Sequence, residues 1–133
     1  MIHSIVVKDY MSASLVTFTP DMDVMNAIDI LVKNRISGAP VIDERGNLVG
    51  LLSEKDCMKV AIQAGYYEQL GGRVGDYMTK NVITVESEAS VLEVAKLFME
   101  KGPRRYPVVE DNRLVGQISR RDVLKSLVDM NRH

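Results

Sequence analysis

Gly116-Gln117-Ile118-Ser119-Arg120-Arg121-Asp122 and Gly50-Leu51-Leu52-Ser53-Glu54-Lys55-Asp56 are two forms of one pattern. In each, an apolar strand runs into the start of a helix. Ser119 and Ser53 stand at the N-cap, and an aspartate follows three residues on, in the first turn. Such a junction places free backbone N–H groups, a hydroxyl and a carboxylate within one turn. The N–H groups and the helix dipole favour an anion. The carboxylate suits a neutral diol such as a ribose. The later stretch adds two guanidinium groups, Arg120 and Arg121.

Working outward, the duplication extends along most of the chain. Asp9-Tyr10-Met11 recurs as Asp76-Tyr77-Met78, an offset of 67. At that offset Thr17 matches Thr84, Val24 matches Val91, and Pro40-Val41 matches Pro107-Val108. After one deletion the offset becomes 66, pairing Leu48-Val49-Gly50 with Leu114-Val115-Gly116, and Lys59 with Lys125. Two copies are too few for a solenoid, which needs about three. A pair related by pseudo-twofold symmetry is the expected arrangement.

Within each copy the elements follow one order. Val7 to Met11 and Val74 to Met78 read as short helical turns. The β-branched and aromatic runs Leu15 to Phe18 and Val82 to Val85 read as strands. Pro20-Asp21-Met22-Asp23 opens a helix with acids at its positive end. Val24, Ala27, Ile28, Leu31 and Val32 fall on one apolar face, matched by Val91, Val94, Ala95, Phe98 and Met99. Ala39 to Ile42 and Leu48 to Leu52 form a hairpin around Asp43-Glu44-Arg45-Gly46-Asn47. The second copy tightens that turn to Glu110-Asp111-Asn112-Arg113. The closing helices run from Glu54 to about Ala64, ended by Gly65, and from about Arg120 to Met130. Asn131-Arg132-His133 is a frayed end. The fold class is therefore α+β, with tandem repeats that each hold a small three-stranded sheet and two main helices. The boundaries are 7–64, a linker at 65–73, and 74–130.

Composition narrows the function. The chain has 133 residues, 46% hydrophobic and 26% charged, and a net charge of −1. That balance gives no case for nucleic acid, which is unlikely as a partner. Residues 1–66 carry six basic against eight acidic side chains, and residues 67–133 carry eleven against ten. The basic groups are thus concentrated locally. Cys57 is the only cysteine, so no internal disulfide can form, and a cytoplasmic location is expected. No run approaches the roughly 18 apolar residues of a membrane span. The N-terminus has no signal-peptide pattern. Met11, Met22, Met25, Met58, Met78 and Met99 read as core filler, and Cys57 as a small packed hydrophobe that a helix N-terminus could acidify. His3 and His133 are terminal and poor ligands. Tyr66-Tyr67 reads as packing between the repeats, with a partner-binding surface as the alternative. With no internal His, phosphate-binding loop or metal cluster, neither an enzyme nor a bound cofactor is expected.

The ordered set of motifs, present twice, resembles a pair of CBS domains, named for cystathionine β-synthase, which together form a Bateman module. The carrying residues are Asp9 to Ser12, Gly38 to Asp43 and Gly50 to Asp56, then Asp76 to Thr79, Arg105 to Glu110 and Gly116 to Asp122. The resemblance implies a regulatory module that binds adenine nucleotides (AMP, ADP or ATP) in two clefts between the repeats. By that likeness Asp56 and Asp122 hold ribose hydroxyls, and Ser53 and Ser119 touch phosphate. Lys55 and Arg121 reach phosphate too, with Arg104, Arg105 and Arg120 nearby in the second copy. The adenine lies against Ser12 to Val16 with Ile36 and Ala39, and against Thr79 to Ile83 with Tyr106. S-adenosylmethionine and NAD are alternative ligands, and single-stranded nucleic acid a more distant one. The resemblance also implies a disc-like homodimer and an unknown effector protein acting in trans. Glu54 stands where the second copy has Arg120, so the second site is expected to be the tighter for di- and triphosphates.

Overall fold

The computed structural model describes residues 4–67 and 70–132. The chain divides into two compact units that do not coincide with the sequence repeats. One is continuous, Val16–Val82; the other is split, Met1–Leu15 with Ile83–His133. The leading segment of each repeat is therefore built into the unit formed by the rest of the other.

In the continuous unit, helix α1 spans Val24–Asn34. Asp23 caps it, its carboxylate accepting from the Met25 N–H. The helix begins at Val24, so Pro20 to Met22 precede it rather than open it. Val24, Ala27 and Leu31 are buried, whereas Val32 is 71% exposed. Strand β1 (Gly38–Ile42) pairs antiparallel with β2 (Leu48–Ser53), and the unit closes with α2 (Glu54–Tyr67) and α3 (Val74–Tyr77). Helix α2 passes through Gly65 instead of ending there. A glycine within a helix costs about 1 kcal/mol, which lowers stability without barring the conformation. The core gathers Phe18, Val24, Ala27, Leu31, Val41, Leu52 and Val74.

In the split unit, β3 (Val85–Glu86) runs parallel to β4 (Arg105–Glu110), which pairs antiparallel with β5 (Arg113–Ser119). Helices α4 (Val91–Glu100) and α5 (Arg120–Asn131) pack on this sheet's core. Helix α5 takes in Asn131, one residue past the expected end; His3 and His133 lie outside the described residues. Val91, Val94 and Phe98 are buried, while Met99 is 87% exposed. Val32 and Met99 thus depart together from the predicted apolar faces. Eight residues at about 100° each place such a side chain about 80° from the first, at the edge of the stripe.

The sheets differ: three strands in the split unit, two in the continuous one. The expected third strand at Leu15 to Phe18 is reduced to a single bridge between Phe18 and Val41. One residue pair explains this. In the split unit the Ser87 N–H donates to Val109 O and prolongs the ladder. The equivalent residue in the other copy is Pro20, which has no N–H to give.

The exchanged segments are held by specific contacts. Val7 is fully buried in the split unit, where its N–H donates to Ala89 O at 2.9 Å. Val74 is fully buried in the continuous unit and donates to Met22 O. Each segment then seats a methionine on a glycine. A Cβ at Gly116 would lie 2.6 Å from Met11 Sδ, and one at Gly50 2.6 Å from Met78 Sδ. Met11, Met22, Met25 and Met78 line the cores as expected, but Met58 and Met99 are exposed. Tyr66 is 80% exposed; Tyr67's side chain lies outside the described residues.

Candidate functional site

Each unit carries one strand-to-helix junction, and the main chain builds both alike. In the continuous unit Gly38 pairs with Ser53, and the Glu54 N–H donates to Ser37 O at 2.9 Å. In the split unit Arg105 pairs with Ser119, and the Arg120 N–H donates to Arg104 O at 3.2 Å. The residues ahead of Pro-Val are thereby held beside the first turn of the closing helix. This brings Arg104, Arg105 and Arg120 to one end of the β4–β5 pair, with Arg121 next in the helix. All four arginines are exposed. Arg120 reaches Gly102 O at 3.4 Å, and among the described residues none of the four has an ion-pair partner. At the equivalent positions the continuous unit has Ser37, Gly38, Glu54 and Lys55.

Each junction is closed by the segment that reaches it from the other repeat. Ser12 and Gln117 exchange backbone hydrogen bonds of 2.8 and 2.9 Å in the split unit. Thr79 and Leu51 exchange two of 2.9 Å in the continuous unit. This alters the expected grouping. Ser12 lies in the split unit with Ser119 and Asp122, whereas Val16, at the other end of that stretch, packs with Ile36 and Ala39 in the continuous unit; Thr79 lies with Ser53 and Asp56, whereas Ile83 falls in the unit that holds Tyr106.

The two aspartates differ in occupancy. Asp122 accepts from the Ser119 N–H at 2.8 Å, and its own N–H donates to Ser119 Oγ at 3.2 Å, a reciprocal capping box. Among the described residues its side chain has no further partner, and it is half-buried. Asp56 is only 5% exposed. Its Oδ2 accepts from the Ser53 N–H and hydroxyl, both at 3.0 Å. The Thr79 hydroxyl donates to Oδ1 at 3.1 Å and lies 3.3 Å from Oδ2. Lys59 Nζ completes the set, 3.5 Å from Oδ1. A carboxylate offers about four lone-pair sites, so Asp56 is filled and Asp122 largely open. Lys59 lies outside the residues that the family resemblance implies, although its i, i+3 spacing from Asp56 on a helix is a signal for such a pair.

The remaining candidates fall in varied surroundings. Tyr106 is 1% exposed, its ring 4.7 Å from that of Phe98 and its hydroxyl donating to Leu97 O. Burial raises its pKa. The ring is core and offers no face to a ligand. Ala39 is buried as well. Ile36 is half-buried and lines a groove of about 490 Å³ with Arg35, Glu54, Cys57 and Met58. Cys57 is 6% exposed, and burial, with Asp56 and Glu54 adding, pushes its thiol up. The acidified thiol that a helix start could give is not what this environment produces. Ser12 and Lys55 are exposed. Among the described residues no group of His, Cys, Asp and Glu comes together as a metal site, and no helix is long and apolar enough to cross a membrane.

The family model for the CBS domain matches twice, at residues 7–62 and 74–129. The chain belongs to the CBS domain family. Its fold is similar to that of CBSX2 from Arabidopsis thaliana, solved in complex with AMP, with a TM-score of 0.83, 30% identity, and coverage of 96% of this chain and 98% of that one. The CBS domain pair of protein MJ0100, solved with 5′-methylthioadenosine and S-adenosyl-L-methionine, gives a TM-score of 0.73 at 30% identity, over 94% and 97% of the two chains. CBSX1 of Arabidopsis thaliana, described as chloroplastic, is 33% identical over 85% of this chain and 59% of its own. The chain spans 42% and 59% of the length of two of the curated relatives it matches.

Proposed function

We propose that this CBS pair is a regulatory module for adenine nucleotides, with the Ser119/Asp122 junction as its principal site. The observation that carries this is the state of that junction. A half-buried carboxylate with open lone pairs stands one residue from Arg121, beside Arg104, Arg105 and Arg120, and among the described residues none of these arginines is ion-paired. A carboxylate takes a ribose diol in bidentate fashion, and guanidinium forks take phosphate oxygens. The likeness to CBSX2, whose structure holds AMP, supports the same ligand class here.

S-adenosylmethionine is the second ligand reading, favoured by the likeness to the MJ0100 pair. It offers the same adenosine without phosphate, so it would make no use of the arginines.

The module acts by binding rather than turnover. Differential affinity of its ligand-bound and free states for an effector protein in trans passes the signal. It works as a homodimer in the cytoplasm. Self-association is supported by apolar side chains left exposed on the helices: Met58 and Ile62 on α2, Leu124, Leu127 and Val128 on α5, and Val32 and Met99.

Thermal shift with AMP, ADP, ATP, NAD and S-adenosylmethionine tests the proposal. A ligand at 100 times its Kd adds about 2.7 kcal/mol to folding stability. ATP and ADP are expected to raise Tm in the wild type and in Asp56→Asn, and to lose the effect in Asp122→Asn. If Asp122→Asn keeps the full ATP shift while Asp56→Asn loses it, the principal site is misassigned. If no adenosyl compound shifts Tm, the ligand class is wrong.

A further inference from the structure

We infer that the Thr79 hydroxyl is a latch that keeps Asp56 unavailable to a ligand, so that the two junctions differ in occupancy as well as in charge. The inference rests on the nucleotide reading above and adds a residue that sets which junction fills. Asp56 is buried, and its carboxylate oxygens are already satisfied by Ser53, Thr79 and Lys59. A ribose diol needs acceptor positions on that carboxylate. Ser53 cannot give them up cheaply, because its N–H and the Asp56 N–H form the helix cap. Lys59 is 58% exposed and its contact is long, so water screens it. That leaves Thr79 as the group whose position decides access.

Thr79 is well placed for the part. Its backbone is fixed by the paired bonds to Leu51, so only the side-chain torsion has to change. A β-branched residue has few χ1 wells, and release is a discrete step rather than a gradual loosening. The counterpart, Ser12, has the same paired backbone bonds, to Gln117, yet its hydroxyl makes no bond to Asp122. Serine lacks the branch that holds the threonine hydroxyl in place. Likewise Lys125, the counterpart of Lys59, forms no ion pair with Asp122. The sequence difference at 12 and 79 therefore separates an open carboxylate from a latched one.

Calorimetric titration with ATP and with AMP tests this on wild type, Asp122→Asn, Thr79→Val and the double variant. Valine keeps the branched shape and removes the hydroxyl. Wild type is expected to take one equivalent per chain and Thr79→Val two. The double variant should bind at least about tenfold more tightly than Asp122→Asn, the weight of one hydrogen bond to a charged group. Adding Asp56→Asn should abolish that gain. A Thr79→Val protein that still takes one equivalent overturns the latch. So does a wild type that takes two, one of them lost in Asp56→Asn; both results leave the nucleotide reading standing. No uptake by wild type or Thr79→Val overturns the nucleotide reading itself. If Thr79→Val does not fold, Thr79→Ser keeps the hydroxyl but frees its torsion. A gain in affinity in the Asp122→Asn background then supports the latch, and no gain overturns it.

Discussion

The Ser53/Asp56 and Ser119/Asp122 junctions share a backbone plan and differ in what their carboxylates do. Asp56 is buried and takes bonds from three other residues, whereas among the described residues Asp122 takes one bond, from its own cap, and stays half open. The first is a structural tie; the second is free for other work. The four-residue pattern Ser-x-x-Asp does not distinguish them. The distinction comes from residues distant in sequence, Thr79 and Ser12, delivered by the segment that each repeat contributes to the other unit.

Substitutions can break or sharpen that contrast. The largest effect is expected at the tied junction. Asp56→Ala leaves the Ser53 N–H and the Thr79 hydroxyl without their acceptor and should cost about 3 kcal/mol, against about 1 kcal/mol for the cap lost in Asp122→Ala. Urea unfolding measures both; equal losses would mean that the two aspartates bear the same structural load. A smaller effect should be shared. Gly50→Ala and Gly116→Ala each push a Cβ against a methionine sulfur and a carbonyl oxygen, 2.9 Å away at Thr79 and 2.8 Å away at Ser12. Each should cost about 1–3 kcal/mol, as overpacking does. A neutral result at one glycine alone would show that the two methionine seats are not equivalent.

The smallest effect concerns the turns. The split unit turns on Asp111 and Asn112, both at positive φ, which suits the twist of a tight hairpin. The continuous unit instead uses the Asp43 carboxylate, which accepts from the Asn47 and Arg45 N–H groups. Chiefly the bond from Asn47, and then that from Arg45, hold its pKa below the ordinary 3.8. A depressed carboxylate stabilises the fold above its unfolded pKa, and that contribution is lost as pH falls through the folded value. Asp43→Asn should therefore show a shallower loss of stability than wild type on acidification below about pH 4. An unchanged slope would remove the carboxylate from the account of this turn.

Much of this was legible in the residues. The matching stripes on α1 and α4, the two hairpins and both N-caps follow from periodicity and turn chemistry. The family and the repeat follow from motifs spaced at 67 and 66. Other features were not read, for physical reasons. Val32 and Met99 look apolar in a list but sit at the edge of the helical face. The missing strand at Leu15 to Phe18 depends on the absent N–H of Pro20, which matters only opposite a partner strand. The re-pairing of Ser12 and Thr79 depends on chain topology, which local patterns do not carry. The sequence marked Asp56 and Asp122 as equals. Their difference appears only once Thr79 and Lys59 are placed beside one of them.

The exchange of leading segments has a consequence for how such a chain can be built or shortened. A single repeat would own a leading turn and an empty socket for one, and could fill the socket only with a turn borrowed from a second copy. Two repeats on one chain complete each other, so a cut between them yields two incomplete pieces. A cut after Val82 differs, because it leaves the whole of Val16–Val82 on one piece. Residues 4–15 would stay behind without their partners, because the groups they bond to, at Ser87, Ala89 and Gln117, all lie beyond that cut. Duplication here supplied the part that makes either copy whole.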